Sequence, residues 1–265
     1  MPTTVPGDDP YLGRTIDGRY AIHRLLGRGG MGAVYEARHI ALDRRVAVKF
    51  LLSDAARPDD IERFRREARA ASRIDHENVV RIFDTGTDQD VCYIAMELVD
   101  GLDLRKLIAE AGRLEPARAT ELTRQLLAGL EAIHDAGIVH RDIKPGNLVV
   151  TRIAGREVLK IMDFGISKTR EPGLTAIGSA IGTPEFMAPE QRTGQDVDHR
   201  ADLYAAGLTL HVMLTGSLPG EAPTVAHQTP DQVPPELAPV TARALARLPA
   251  ARFSSAREFA AALAN

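Results

Sequence analysis

Tryptophan is absent from this 265-residue sequence, and cysteine occurs once, at position 92. A single cysteine excludes an intrachain disulfide and points to a reducing compartment. Long hydrophobic runs are missing too. The most apolar stretch, Leu203 to Leu214, is interrupted by Thr209 and His211 and falls short of the ~18 residues that a membrane span needs. The N-terminal M-P-T-T-V-P-G-D-D-P has neither basic residues nor an apolar core, so it does not read as a secretory signal. Charge of one sign is also lacking: the formal net charge is −3 and the pI is near 6.3. That removes the electrostatic case for nucleic acid or an anionic membrane as the main partner. These absences describe a soluble domain expected in the cytoplasm. Lysine is scarce as well. Only positions 49, 106, 144, 160 and 168 carry it among 33 basic residues, the other 28 being arginine. In so arginine-rich a chain, a lysine suggests a position suited to a compact point charge.

What is present falls into two halves of different character. Residues 1–15, rich in Thr, Pro, Gly and Asp, read as a loosely ordered lead-in. Alternation then predicts strands over Tyr20–Leu26, Ala33–Arg38 and Arg45–Leu52, followed by Val79–Thr85 and Val91–Leu98. Between them Pro58-Asp59-Asp60 offers a helix start, with Ile61, Phe64, Ala68 and Ala71 at helical spacing. Past Val99-Asp100-Gly101 the pattern becomes helical. A helix is expected over Pro116–Ala136 with Leu122, Leu126, Leu130 and Ile133 on one face, and an almost wholly apolar one over Ala201–Leu214. A hairpin should pair Leu148–Thr151 with Val158–Met162 around Ala154-Gly155. Six of the 16 prolines lie between Pro219 and Pro239, and helices resume over Val240–Leu248 and Ser254–Leu263. The fold class is α+β. A β-rich N-terminal lobe (16–96), a hinge (97–101) and a mainly helical C-terminal lobe (102–265) make one two-lobed domain.

Three constellations carry chemistry. Gly27-Arg28-Gly29-Gly30-Met31-Gly32-Ala33-Val34 fits G-x-G-x-x-G-x-V, a pattern that alone also suits an ordinary tight turn. A dinucleotide site would need a helix after the glycines, and a Walker A loop would need Gly-Lys-Ser or Gly-Lys-Thr. Here a strand-like Val34-Tyr35-Glu36 follows, leaving a strand–glycine–strand flap whose amides can approach phosphates. Second, Val46-Ala47-Val48-Lys49 ends on a lysine that shares a strand face with Ala47. Third, residues 140–147 read H-R-D-I-K-P-G-N, and Asp163-Phe164-Gly165 follows the next hairpin. An Asp able to take a hydroxyl proton lies two residues before a Lys and five before an Asn. With a second Asp beyond, this set suits transfer of a γ-phosphoryl group from a Mg²⁺-bound nucleotide to an alcohol.

From about Ile16 to the C-terminus the chain resembles the protein kinases, most closely the bacterial Ser/Thr members. The resemblance makes Asp142 the base, Lys144 the residue offsetting charge on the γ-phosphate, and Asn147 and Asp163 the Mg²⁺ ligands, with Mn²⁺ an acceptable substitute. Lys49 would reach the ATP phosphates and pair with Glu67, which spacing places beside Phe64, Ala68 and Ala71. The plainer reading of Glu67 is an exposed helix residue pairing with nearby arginines. The adenine would lie among Val34, Ala47 and Val149, with Met96 behind it and the backbone of Glu97 and Val99 at its edge. His140 reads as a satisfied core histidine. Gly182-Thr183-Pro184-Glu185 through Ala188-Pro189-Glu190 resembles the segment closing an activation loop, in which Glu190 pairs with Arg252 and Asp202 braces the catalytic loop. Thr175, then Ser179, match positions of autophosphorylation. Arg141 is placed to bind such a phosphate, and Thr183 to form part of the acceptor platform.

The resemblance implies ATP-dependent phosphorylation of Ser/Thr hydroxyls on proteins in signalling. Pairing of two kinase copies is compatible with it, and no nucleic acid or membrane partner is expected. Lys144 favours Ser/Thr over Tyr acceptors. A nucleotide-binding scaffold without activity predicts loss of Lys49, Asp142, Asn147 or Asp163, and all four are present. A small-molecule phosphotransferase is disfavoured by Arg141 and by the 182–190 segment, both suited to peptide docking. The run from Leu218 to Ala238 is shorter than the family's and broken by Pro219, Pro223 and Pro230.

Overall fold

Alternation in the first hundred residues does produce strands. The structure, a computed structural model, describes residues 9–29, 32–51, 62, 66, 68–89, 91–163, 184–219 and 233–264. The chain divides into two compact units, Met1–Ser72 with Arg81–Leu98, and Arg73–Val80 with Val99–Asn265.

The first unit is built on β1 (Thr15–Ile16), β2 (Tyr20–Gly29), β3 (Gly32–His39), β4 (Arg44–Leu51), β5 (Ile82–Asp88) and β6 (Val91–Glu97). They form one antiparallel sheet in the order β1-β2-β3-β4-β6-β5. Val46, Val48 and Phe50 of β4 join a buried core with Tyr20, Tyr35 and Tyr93. The two-residue period therefore turns Ala47 and Lys49 to the opposite face. Asp9 onward departs from the loose lead-in expected over 1–15. Tyr11 is buried and its ring stacks on Phe50 at 4.2 Å. Composition could not show this, because the partners lie far along the chain. Residues 68–71 are helical with Ala68 and Ala71 buried, as their spacing predicts.

One expected strand is divided. Alternation predicts a continuous strand over Val79–Thr85, yet Val79 forms a parallel bridge to Ile161 in the second unit and β5 begins only at Ile82. Asn78 explains the excursion. Its carbonyl accepts from the Ile161 amide at 2.8 Å, and its Nδ2 donates to the Leu159 carbonyl at 2.9 Å. Val79 and Val80 are then buried beside it.

In the second unit β7 (Gly101–Asp103), β8 (Leu148–Ile153) and β9 (Arg156–Ile161) pair in that order. Asp103 caps α1 (Leu104–Ala111), a helix that sequence reasoning missed, by accepting from the Lys106 amide at 2.9 Å. The long α2 (Pro116–Asp135) buries Leu122, Leu126, Leu127, Leu130 and Ile133. After α3 (Pro189–Thr193) comes α4 (Arg200–Thr215), buried everywhere except Arg200, Tyr204 and Thr215. The helices expected at Val240–Leu248 and Ser254–Leu263 are shorter: α5 is Ala238–Ala244 and α6 is Ala256–Ala262. Pro249 opens a separate 3-10 turn, and Ser255 serves as the α6 cap rather than as a helical residue. α2 packs against α4 and α6, the helical core on which the loop after Ile138 is mounted.

Candidate active site

The octapeptide folds as a tight loop ending in a 3-10 turn, Pro145–Asn147, closed by the Asn147 amide donating to the Lys144 carbonyl at 2.9 Å. The turn brings three of the expected residues together. Asn147 Nδ2 donates to Asp142 Oδ2 at 2.9 Å and to the Asp142 carbonyl at 2.8 Å. Lys144 Nζ stands 3.2 Å from the same Oδ2. Two donors thus fix the orientation of the Asp142 carboxylate.

Asp202, in the first turn of α4, fixes the backbone beneath. It is 1% exposed, and its Oδ2 accepts from the His140 amide at 2.8 Å while Oδ1 accepts from the Arg141 amide at 2.7 Å. His134 Nε2 lies 2.9 Å from Oδ2. Burial alone would raise the Asp202 carboxyl, but His134 and the His140 amide outweigh it and hold the group below its ordinary value. The ionised carboxylate is needed because Arg141 adopts φ 63, a left-handed conformation that costs a non-glycine residue roughly 1–2 kcal/mol. Asp202 secures its amide, and Gln191 Nε2 donates to its carbonyl at 3.2 Å.

His140 is fully buried and behaves as the expected core histidine. Its Nδ1 accepts from the Asp142 amide at 3.3 Å, so Nε2 carries the proton and donates to the Met162 carbonyl at 3.0 Å. Burial lowers its pKa from the ordinary 6.5, keeping it neutral. Met162 in turn donates its amide to the Asn147 carbonyl at 2.8 Å. One network therefore joins Asp142, Asn147 and the residue preceding Asp163. Asp163 itself has φ 46.

Glu190 and Arg252 form the pair that the resemblance implies. Nη1 and Nη2 of Arg252 meet the two Glu190 oxygens at 2.6 and 2.7 Å. The guanidinium also donates to the carbonyls of Ala246, Arg200 and Arg247. Burying these charges is tolerable only because every remaining donor finds an oxygen. Gln191, which sequence reasoning missed, joins this region to the loop: its Oε1 accepts from the Ala188 amide at 3.0 Å while its Nε2 reaches Arg141. A Gln three residues after Ala188, with Pro189 opening a helix, was the available signal.

In the first unit, Gly27 and Gly29 pair with Val34 and Gly32, and Val34 faces Lys49 across β3–β4. A Cβ at position 32 would strike the Phe50 carbonyl, so glycine is required there. Arg28, expected near the nucleotide, directs its side chain to Asp9 and the Tyr35 hydroxyl. Ala33, Ala47 and Met96 are buried, whereas Lys49, Glu97 and Val99 are half-buried. Val149 pairs with Asp103 and Lys160 in the three-stranded sheet. Gly30, Met31, Glu67, Thr175, Ser179 and Thr183 lie outside the described residues.

The donor set fits a hard divalent cation. With its amide nitrogen committed to Asp142, Asn147 would offer Oδ1 to such an ion, and Asp163 would add a carboxylate. Two oxygen ligands suit Mg²⁺, which keeps several waters and takes phosphate oxygens.

The family model described as protein kinase domain matches residues 20–256, and the chain belongs to that family. Serine/threonine-protein kinase pkn3 of Myxococcus xanthus is 42% identical over 228 residues, covering 82% of this chain and 41% of its own length. Pkn2 of the same organism is 43% identical over 213 residues, 78% of this chain and 26% of the relative. PrkC of Bacillus subtilis is 40% identical over 210 residues, with shares of 78% and 32%. The chain thus spans between about a quarter and two fifths of these relatives. The solved kinase domain of Mycobacterium tuberculosis PknI, crystallised as a point mutant, superposes with a TM-score of 0.77 at 33% identity, covering 96% of this chain and 97% of that one. The α+β, two-lobed kinase fold expected from the sequence is the fold observed.

Proposed function

We propose that residues 16–265 act as a Ser/Thr protein kinase domain transferring the γ-phosphoryl group of ATP to protein hydroxyls. The observation that carries this reading is the preorganised Asp142. Its carboxylate is oriented by Asn147 and Lys144, on a loop whose strained backbone Asp202 holds from beneath. Asp142 accepts the proton of the attacking Ser or Thr hydroxyl, a role that positioned bases fill for about 10²–10⁴-fold in rate. Lys144 offsets charge on the moving phosphoryl group. Asn147 and Asp163 hold Mg²⁺, which when bound neutralises phosphate charge. In the first unit, the amides of Gly27–Val34 and the Lys49 ammonium hold the phosphates, Lys49 pairing with Glu67. Val34, Ala47 and Met96 line the adenine, whose edge meets the backbone of Glu97 and Val99.

Activation by autophosphorylation in signalling belongs to the same proposal, with Thr175 and then Ser179 as acceptors and Thr183 as part of the substrate platform. Arg141 supports it: its Nε is buried and has no hydrogen-bond partner among the described residues. A phosphate delivered there would supply bidentate acceptors. Incubating the protein with ATP, Mg²⁺ and a generic basic protein should place phosphate on Ser and Thr, and mass spectrometry should find it on Thr175 or Ser179. Transfer to aminoglycosides or choline but not to protein would overturn the reading.

A further inference from the structure

The segment ahead of β2 has no part in the chemistry above, yet it is tied firmly into the first unit. The Asp9 carboxylate serves three donors. Oδ1 accepts from the Tyr11 amide at 3.0 Å, the Tyr35 hydroxyl donates to the carboxylate at 2.9–3.0 Å, and Arg28 Nη2 donates to Oδ2 at 2.9 Å. Burial raises the Asp9 carboxyl, but the Tyr11 amide, the Tyr35 hydroxyl and Arg28 together hold it below its ordinary value. Tyr11 anchors the segment, stacked on Phe50 and edge-on to Tyr35 at 5.7 Å. Farther along, Arg14 Nη2 donates to Gln89 Oε1 at 2.6 Å and the Asp17 amide to Asp88 Oδ1 at 3.2 Å.

The glycine limb of β2 is what this segment reaches. Tyr20 and Ile22 are buried, but β2 is exposed from His23 to Gly29. Its pairing with β3 shifts register twice before the glycines, between Ile22 and Arg24 and between Leu25 and Gly27. β3 is held on its other side by β4 as far as Gly32, whereas β1 reaches no farther along β2 than Ala21. A glycine-rich, two-stranded ribbon is marginal by itself. Arg28 is the only side chain in Gly27–Gly29, and Asp9 and Tyr35 are the groups that hold it.

We propose that Asp9 is a positioning residue for the nucleotide: by gripping Arg28 and the Tyr35 hydroxyl with one carboxylate, it fixes the glycine limb of β2 and so sets how tightly the triphosphate is held. This rests on the proposed kinase reading, and Asp9 itself touches no reacting atom.

The test compares wild type with Asp9→Asn, Arg28→Gln and the double variant, by calorimetric titration with Mg-ATP and by steady-state kinetics on a basic peptide. Losing a charge-assisted contact should weaken ATP binding on the order of 3–10-fold in Asp9→Asn. Its kcat and its KM for the peptide should stay within about twofold, the pattern of lost ground-state binding. The double variant should be no weaker than the worse single variant, because both remove one contact. Unchanged ATP affinity in Asp9→Asn, or additive effects, overturns the proposal. So does a drop in folded fraction and kcat without a change in ATP affinity, which would make Asp9 a structural anchor only. A wild type that binds Mg-ATP but transfers nothing refutes the kinase reading alone, since the titration still reads the Asp9 effect. One that binds no ATP refutes both.

Discussion

The loop carrying Asp142 and the hairpin carrying the glycines hold their backbones in opposite ways. The loop spends buried charge: Asp202 at 1% exposure accepts two successive backbone amides, His140 is sealed in one tautomer, and Arg141 is kept left-handed. The hairpin has exposed backbone, no side chain at Gly27 or Gly29, and outer contacts that are surface pairs. A group that must meet a proton within a fraction of an ångström benefits from rigidity, because misplacement costs rate steeply. Amides that close on a phosphate need only a shallow well. Perturbing the first region should therefore cost rate or stability in large steps, and perturbing the second should tune affinity.

The sharpest break should come from Asp163→Asn. A neutral amide is a far weaker ligand for a hard cation, so Mg²⁺-dependent transfer should fall to background while the melting midpoint stays near that of wild type. A Mg²⁺ titration of activity checks it. Arg252→Met, removing one partner of the buried Glu190 pair, should cost about 3–5 kcal/mol of stability, seen in the denaturant midpoint. Retention of wild-type stability would show that the pair is not the brace described.

A smaller effect distinguishes the regions by pH. Burial lowers the folded pKa of His140 from 6.5, so the unfolded chain binds the proton more readily. This contribution is fully present above about 6.5 and is lost as pH falls. Urea midpoints should drop between pH 7 and pH 5, and His140→Gln should flatten that slope. Asp202 adds a lower window, its stabilisation being present above the ordinary 3.8 and lost as pH falls through its depressed folded value. The smallest change belongs to the hairpin surface. Arg24→Ala removes an exposed pair with Glu36, which Arg45 also holds, and should cost about 0–1 kcal/mol. A loss beyond 2 kcal/mol would contradict the comparison.

The same contrast explains what the sequence made legible. Asp142, Lys144 and Asn147 are neighbours in the chain because a 3-10 turn brings them together, so their chemistry reads as one linear motif. Asp202, Glu190 and Arg252 could be matched only through the resemblance, since nothing local marks an Asp at a helix start as a brace. The Asp9 segment reads as loose from its composition, which is overruled by Phe50, Tyr35 and Arg28, none of them near in sequence. Val79–Thr85 reads as one strand, yet Asn78 draws its first residues to Ile161. The helix Leu104–Ala111 was legible, with Leu104, Leu107, Ile108 and Ala111 at helical spacing, Asp103 as its cap and Gly112 at φ 73 after its last turn, yet sequence reasoning missed it.

The central claim is that Asp142 is the base on a prebuilt loop, and kcat for Asp142→Asn under saturating Mg-ATP and peptide tests it most directly. Turnover should fall on the order of 10²–10⁴-fold, with Mg-ATP affinity and the melting midpoint close to those of wild type. Wild-type kcat in the folded variant would contradict the account.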